Sequence, residues 1–379
     1  MPYQWNDILQ DWLLNQNLDY DPEEIVDAFN QVEKTMGSDW IGLTFGTFRG
    51  VWAAIPIIEL GKMLREVEKI PDGSKLIKKI KDNYPNNILQ GTAGRKISPS
   101  QFKASDSLHE LAHSLQVARL VAHYRRHSYI VEIEPELIVN GRRRFPDLRV
   151  KSDSKWVYVV VCPSFSKETQ EIFGTLNRIS NLDDEIRMDR VIEVYLYKDP
   201  SELEIRQIID TCKLLAQRDL QPQESNIDGT AQIFTNPWNA ERLPNFAPAI
   251  IEKRPILVFV NLKTKKEEGM VHGKRCIVKM PFTDERAQRI LDEKSGQLSR
   301  TDPGLIVMDV SGIPGGFKRW PELVRRRLQP NLNRRISGVL IAENSISGKT
   351  MIVTKNLISH PNPLHLLSED FLTTTNSNS

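Results

Sequence analysis

The sequence predicts an α/β protein with a helical N-terminal region (1–95), a central α/β core (103–217) and a C-terminal α/β region (250–365). Three observations carry this prediction. Through the first 95 positions, apolar residues recur at three- and four-residue spacing, the period of a helix with one buried face. From residue 103, helical stretches alternate with short runs rich in valine, isoleucine and tyrosine, residues that suit strands. The same alternation returns after a proline-containing stretch (218–250) that reads as a boundary loop.

In the N-terminal region, WNDILQDWLLNQ, PEEIVDAFNQVEKTM, WAAIPIIELGKMLREVEKI and GSKLIKKIKDNY are each expected to be helical. Asp21-Pro22-Glu23-Glu24 is a helix start: a capping side chain, a proline at the first turn, then acids near the positive end. TAGRKISPSQF (92–102) reads as a linker. In the core, a helix at about 104–126 leads into strands near 129–139, 145–150 and 156–162. A helix at 166–181, the strand RVIEVYLY (190–197) and a helix at 200–217 follow. The order is α-β-β-β-α-β-α. In the C-terminal region, ILVFVNL (256–262) and RCIVKMPF (275–282) read as strands, and TDERAQRILDEKSGQL as a helix capped by Thr283. LIVMDVS (305–311) is a buried strand, WPELVRRRLQ a helix, and ISGVLIAEN with KTMIVTKN a hairpin. The polar tail (366–379) is expected to be disordered. Whether the C-terminal strands join the central sheet stays open at this point.

An apolar fraction of 40% and a charged fraction of 26% are ordinary for a globular chain. No apolar run approaches the roughly 18 residues of a membrane span, so no membrane contact is expected. The start has acids and no basic segment before an apolar one, unlike a secretory signal. Three widely spaced cysteines (Cys162, Cys212, Cys276) give neither a disulfide framework nor a paired-cysteine metal site, and the cytoplasm is the expected location. The net charge of +2 hides local clustering. Residues 119–150 hold seven arginines and no lysine, among them Arg142, Arg143 and Arg144. Residues 315–335 carry Lys318, Arg319, Arg325, Arg326, Arg327, Arg334 and Arg335 against a single acid, Glu322. The planar, bidentate guanidinium fork matches phosphate, so these residues are the candidates for binding nucleic acid.

The stretch from Leu108 to Pro163 holds the chemistry. It opens with HELAH (109–113), passes through FPDLRV (145–150) and ends in VYVVVCP (157–163). A helix, a strand, a Pro-Asp dipeptide starting the next strand, and a third strand at hairpin spacing together resemble the PD-(D/E)XK nuclease superfamily over residues 104–217. The resemblance implies a mixed sheet of restriction-endonuclease type. It also implies a metal-binding Asp147, helped by Glu110 of the preceding helix, with magnesium or manganese as the cofactor. The third strand departs from the family pattern. Val160 stands where the second acid belongs and Cys162 where the lysine belongs. Valine offers magnesium no donor, and a thiol is too soft for it.

The leading expectation is therefore a nucleic-acid-binding protein on a nuclease-like fold, its hydrolysis lost or weakened, in a DNA-processing or defence setting. Three alternatives accompany it. An active nuclease would use Asp147, Glu110 and a migrated acid: Glu132, Glu134 or Glu168. Glu132 and Glu134 also fit the polar face of an alternating strand. A zinc metallopeptidase would use His109, Glu110 and His113, since H-E-x-x-H sets two histidines one turn apart. A third ligand is missing there, because Gln116 and Arg119 occupy the positions of the extended motif. A protein-interaction scaffold with protein partners is the last. SGIPGGF (311–317) reads as a turn, and Trp238, Trp320 and Phe317 as packing rather than stacking groups.

Overall fold

A computed structural model describes residues 18–37, 51–83, 103–163, 175, 178–179, 190–198, 200–217, 223–237, 256–267, 270–281, 285–311, 316–347 and 349–377. The expected first helix, the 92–102 linker, the Thr283 cap, Glu168 and Trp238 lie outside these residues, as does nearly all of the expected 166–181 helix. The chain divides into two compact units: residues 1–167, 284–312 and 317–379, and residues 168–283 with 313–316.

The first unit is built on helices α1 (Pro22–Met36), α2 (Val51–Glu68), α3 (Gly73–Asn83) and α4 (Lys103–Arg126) against a six-stranded sheet. The start of α1 follows its sequence. Asp21 accepts from the Glu23 N–H at 2.8 Å, Pro22 opens the first turn, and Gly37 closes the helix at φ 96°. Ile25, Ala28, Phe29, Val32 and Met36 form its buried stripe. Gly61 of α2 meets the backbone of Ala28 so closely that a Cβ would collide with it, which lets the two helices cross at short range.

The strands of this unit are β1 (Ile130–Ile133), β4 (Leu148–Ser152), β5 (Lys155–Cys162), β11 (Gly304–Asp309), β12 (Gly338–Ser347) and β13 (Thr350–Ser359), adjacent in that order. β1, β4 and β5 form an antiparallel meander, with Leu148 opposite Val159 and Ser152 opposite Lys155. β11 then lies parallel to β5, with Met308 opposite Cys162, and β12 parallel to β11. β13 returns antiparallel to β12, as the expected hairpin. Val157 to Cys162 and all of β11 are buried, as required of central strands covered on both faces. Val157, Val159 and Val161, with Leu305, Val307 and Leu340, join one core with α1–α4. Helices α6 (Glu285–Ser295) and α7 (Gly316–Arg327) complete the crossovers to β11 and β12.

Three expectations are corrected in this unit. The single strand 129–139 breaks at Glu134, whose φ of 48° precedes Pro135. Its second half, β2 (Leu137–Val139), pairs instead with β3 (Arg142–Arg144) as a separate hairpin. The Asn140-Gly141 turn has both residues at positive φ, 53° and 73°, the geometry two-residue hairpins need. The third correction concerns the tail, which folds as α8 (Glu369–Asn376) rather than being disordered. Ser368 caps it by accepting from the Phe371 N–H at 3.3 Å, and Phe371 is wholly buried against the Tyr124 ring at 5.3 Å.

The second unit is a five-stranded sheet in the order β7 (Gln223–Ile227), β8 (Ala231–Pro237), β6 (Arg190–Leu196), β10 (Met270–Pro281) and β9 (Ile256–Glu267), with helix α5 (Glu202–Gln217). RVIEVYLY thus forms its strand, but β6 pairs with β8 and β10 rather than with the sheet of Asp147. The stretch expected to be loop contains the β7–β8 hairpin, turned by Asp228-Gly229 with Gly229 at φ 63°. Among the described residues, no helix is long and apolar enough to cross a membrane.

Candidate functional site

Asp147 ends the short segment that joins the β2–β3 hairpin to β4. Its backbone carbonyl accepts from the Glu134 N–H at 3.0 Å, which ties the end of β1 to the start of β4. Extending the register by one residue from the Leu148–Val159 pair sets Asp147 across from Val160. The expected juxtaposition of Pro-Asp with the third strand is therefore present.

Both carboxylate oxygens of Asp147 are engaged. Oδ1 lies 3.0 Å from His113 Nε2, and Oδ2 accepts from the Val161 backbone N–H at 2.6 Å. His113 comes from the middle of α4, nearly three turns after its start at Lys103. His113, Glu134, Asp147 and Lys79 of α3 line one narrow pocket floored by Leu76 and Val117. Glu134 and Lys79 form an ion pair at its mouth. Glu132, on the same strand, is held by Arg149, whose Nε donates to it at 2.7 Å while its guanidinium stacks 4.3 Å from the Trp156 ring.

Of the residues the sequence singled out, the fold brings Asp147 and His113 together and leaves Glu110 exposed on α4. The rings of His109 and His113 lie 6.5 Å apart, and His113 spends its Nε2 on Asp147. Among the described residues, no group of three or more His, Cys, Asp or Glu side chains converges as metal ligands do. Tested against magnesium, the donor set does not fit. Asp147 meets no second free carboxylate among the described residues: Val160 across from it has no donor, Cys162 is a buried thiol, and Glu134 is paired with Lys79.

The arginine clusters separate into used and open groups. Arg142, Arg143 and Arg144 are all exposed on β3, and among the described residues Arg143 pairs with Glu136 at 3.2 Å while Arg142 and Arg144 meet no acid. Ile138 and Phe145, at 69% and 56% exposure, flank them as apolar contact surface on the same hairpin. On α7, Arg326 pairs with Glu322, and Arg327 grips Asp292 of α6, holding that carboxyl below its usual range. Lys318 and Arg325 are exposed, Arg319 is half-buried and Trp320 is buried. Arg334 donates from Nε to the Asn362 carbonyl at 3.1 Å, and Arg335 is half-buried next to it.

Sequence reasoning missed a second polar cluster at the end of β11. Asp309 Oδ1 accepts from the Ser311 N–H at 2.9 Å, and Ser311 Oγ accepts from Asn344 Nδ2 at 2.9 Å. Burial pushes the Asp309 carboxyl up, while the Ser311 bonds and then the Arg119 charge draw it back. Arg119 is pulled down chiefly by desolvation, and its Nη1 donates to Gln116 at 2.7 Å. The signal was an acid inside the apolar run LIVMDVS; a buried carboxylate requires such partners. Lys79 could not have been found, because 55 residues separate it from Glu134.

Compared with known proteins, the chain matches no protein-family model and no curated protein.

Proposed function

We propose that this chain is a nucleic-acid-binding protein built on a PD-(D/E)XK-like nuclease fold in which phosphodiester hydrolysis has been lost. One observation carries the reading. The carboxylate at the Pro-Asp position is tied down by His113 and the Val161 N–H, and the residue across from it is Val160. A metal-dependent hydrolase needs several carboxylates converging on a cation that polarises phosphate and activates water, and among the described residues no such group forms. Here the same geometry works as a clamp between α4, β4 and β5.

The strand order supports the fold-family part: a helix, an antiparallel three-stranded meander with Pro146-Asp147 leading its second strand, then a parallel crossover to β11. The β2–β3 hairpin supports the binding part. It projects three arginines and the apolar Ile138 and Phe145, and ends three positions before Asp147, where a nuclease of this type would meet its substrate. A DNA-processing or defence setting follows only by analogy of fold.

The test is an incubation of the full chain with labelled DNA and RNA in magnesium and, separately, manganese, read by gel shift and by denaturing gel. Retention of a strand that stays intact supports the proposal. Cleavage abolished by Asp147→Asn would revive an active nuclease, and absence of any retention would favour a scaffold that meets only proteins.

A further inference from the structure

At the opposite end of the six-stranded sheet, where β11 and β12 begin, three arginines face one solvent-open pocket. Arg300, Arg334 and Arg335 line it, together with Ser295, Asn331 and Asn333. Among the described residues, no carboxylate lines it. The acids of the flanking segments are taken. Asp292 is held by Arg327 and by Asn333 Nδ2 at 3.3 Å, and Asp302 Oδ2 accepts from the Ser299 and Thr301 hydroxyls at 3.0 and 2.8 Å.

Hydrogen bonds tie the pocket's walls together. These walls come from three chain segments pinned to one another by short bonds. His365 Nε2 bonds the Arg300 carbonyl at 2.7 Å, and the Leu364 N–H bonds the Arg334 carbonyl at 2.7 Å. His360 Nε2 bonds the Leu332 carbonyl at 2.7 Å, and Asn362 Nδ2 the Pro330 carbonyl at 3.3 Å. The Ser337 N–H donates to the Gly304 carbonyl at 2.7 Å, and Ser337 Oγ accepts from Gly304 N–H at 3.0 Å. A Cβ on Gly304 would lie 2.7 Å from the Arg335 carbonyl, so the arginine-bearing loop is seated directly on the strand start. Holding three like charges in one pocket costs free energy that a bound anion returns. The Arg335 guanidinium accordingly sits below the ordinary arginine range, through desolvation first and Arg300 second.

We propose that this pocket binds a phosphate monoester, the group carried by a free nucleotide or by the 5′ end of a nucleic-acid strand. Guanidiniums stay charged at any physiological pH, so an anion of two charges suits three of them better than the single charge of an internal phosphodiester. Asn331 adds a neutral amide donor, while the Asn333 amide already donates to Asp292. The proposal stands on residues separate from the β2–β3 hairpin and does not require the nuclease-fold reading.

Calorimetric titration of the full chain with inorganic phosphate tests it, with AMP and a short single strand bearing either a 5′-phosphate or a 5′-hydroxyl as further probes. We expect phosphate to bind, and Arg300→Gln and Arg335→Gln each to weaken it by about tenfold, as loss of a charge-assisted bond would. Lys34→Gln, on α1 and paired with Glu68, should leave it unchanged. Tighter binding of AMP identifies a nucleotide as the source, and tighter binding of the 5′-phosphorylated strand identifies a nucleic-acid end. No phosphate binding by the native chain, or undiminished binding in Arg300→Gln and Arg335→Gln proteins whose melting is native, overturns the proposal. Failure of the hairpin to bind nucleic acid would leave this result untouched, so the two outcomes are separable.

Discussion

Replacing Asp147 separates a structural clamp from a catalytic carboxylate. In Asp147→Ala, the buried Val161 N–H loses an acceptor at 2.6 Å and His113 Nε2 loses one at 3.0 Å. A hydrogen bond to a charged group contributes about 1.5–3 kcal/mol, and an orphaned buried donor costs about 1–3 kcal/mol. The Asp147 side chain is only 15% exposed, so water replaces little of this. Together these give a loss of about 3–4 kcal/mol, a large part of the roughly 5–15 kcal/mol that holds a typical domain. Asp147→Asn keeps the shape and can still accept from Val161 through its amide oxygen, so its cost should be about 1–2 kcal/mol. Urea unfolding of the three proteins, followed by circular dichroism, reads the order native, Asn, Ala. Catalytic carboxylates commonly sit in strained sites whose removal raises stability. An Asp147→Ala protein as stable as the native one, or more so, would refute the clamp and return Asp147 to the chemistry.

Two further predictions concern the C-terminal helix. Phe371→Ala removes a wholly buried ring packed against Tyr124 and Tyr129, and should cost about 3–5 kcal/mol, read as a lower melting temperature; a change within error would mean that α8 is not docked. His123 is buried beneath that helix, its Nε2 2.8 Å from the Thr374 carbonyl, and desolvation followed by the Lys355 charge lowers its pKa to about 4. A histidine depressed on folding binds its proton more readily when unfolded, so its share of stability is whole above about pH 6.5 and is lost as pH falls toward 4. The shift sets an upper limit of about 3 kcal/mol. Melting curves between pH 7 and 4 should fall less steeply in His123→Gln than in the native chain, and parallel curves would contradict the assignment.

Local signals in this sequence were legible, and long-range partners were not. Asp21-Pro22-Glu23-Glu24 announced α1, and the spacing of PDLRV to VYVVVCP announced the β4–β5 pair, because each is decided within a few residues. RVIEVYLY was readable as a strand, yet an all-buried strand says nothing about which sheet covers it, and its partners lie some 40 and 85 residues away. The tail misled because serine, threonine and asparagine dominate it, although Ser368 with Glu369 and Asp370 was a helix start before the anchoring Phe371. The candidate site shows the same division. Asp147 and His113 were both singled out, but for separate chemistries, and only the packing of α4 on the meander joins them. Arg300 drew no notice, since its meaning arises only beside Arg334 and Arg335.

The β2–β3 hairpin is the surface proposed to meet nucleic acid. Fluorescence anisotropy of a labelled duplex and a labelled single strand, titrated at several salt concentrations, measures the phosphate contacts, because each contact releases counterions. We predict that Arg142→Gln, Arg143→Gln and Arg144→Gln together lower the slope of log affinity against log salt by about two to three units. Replacing Arg326 and Arg327, which are paired with Glu322 and Asp292, should leave that slope as it is. A native chain that binds neither strand, or a hairpin triple variant that binds with the native slope, would contradict the account.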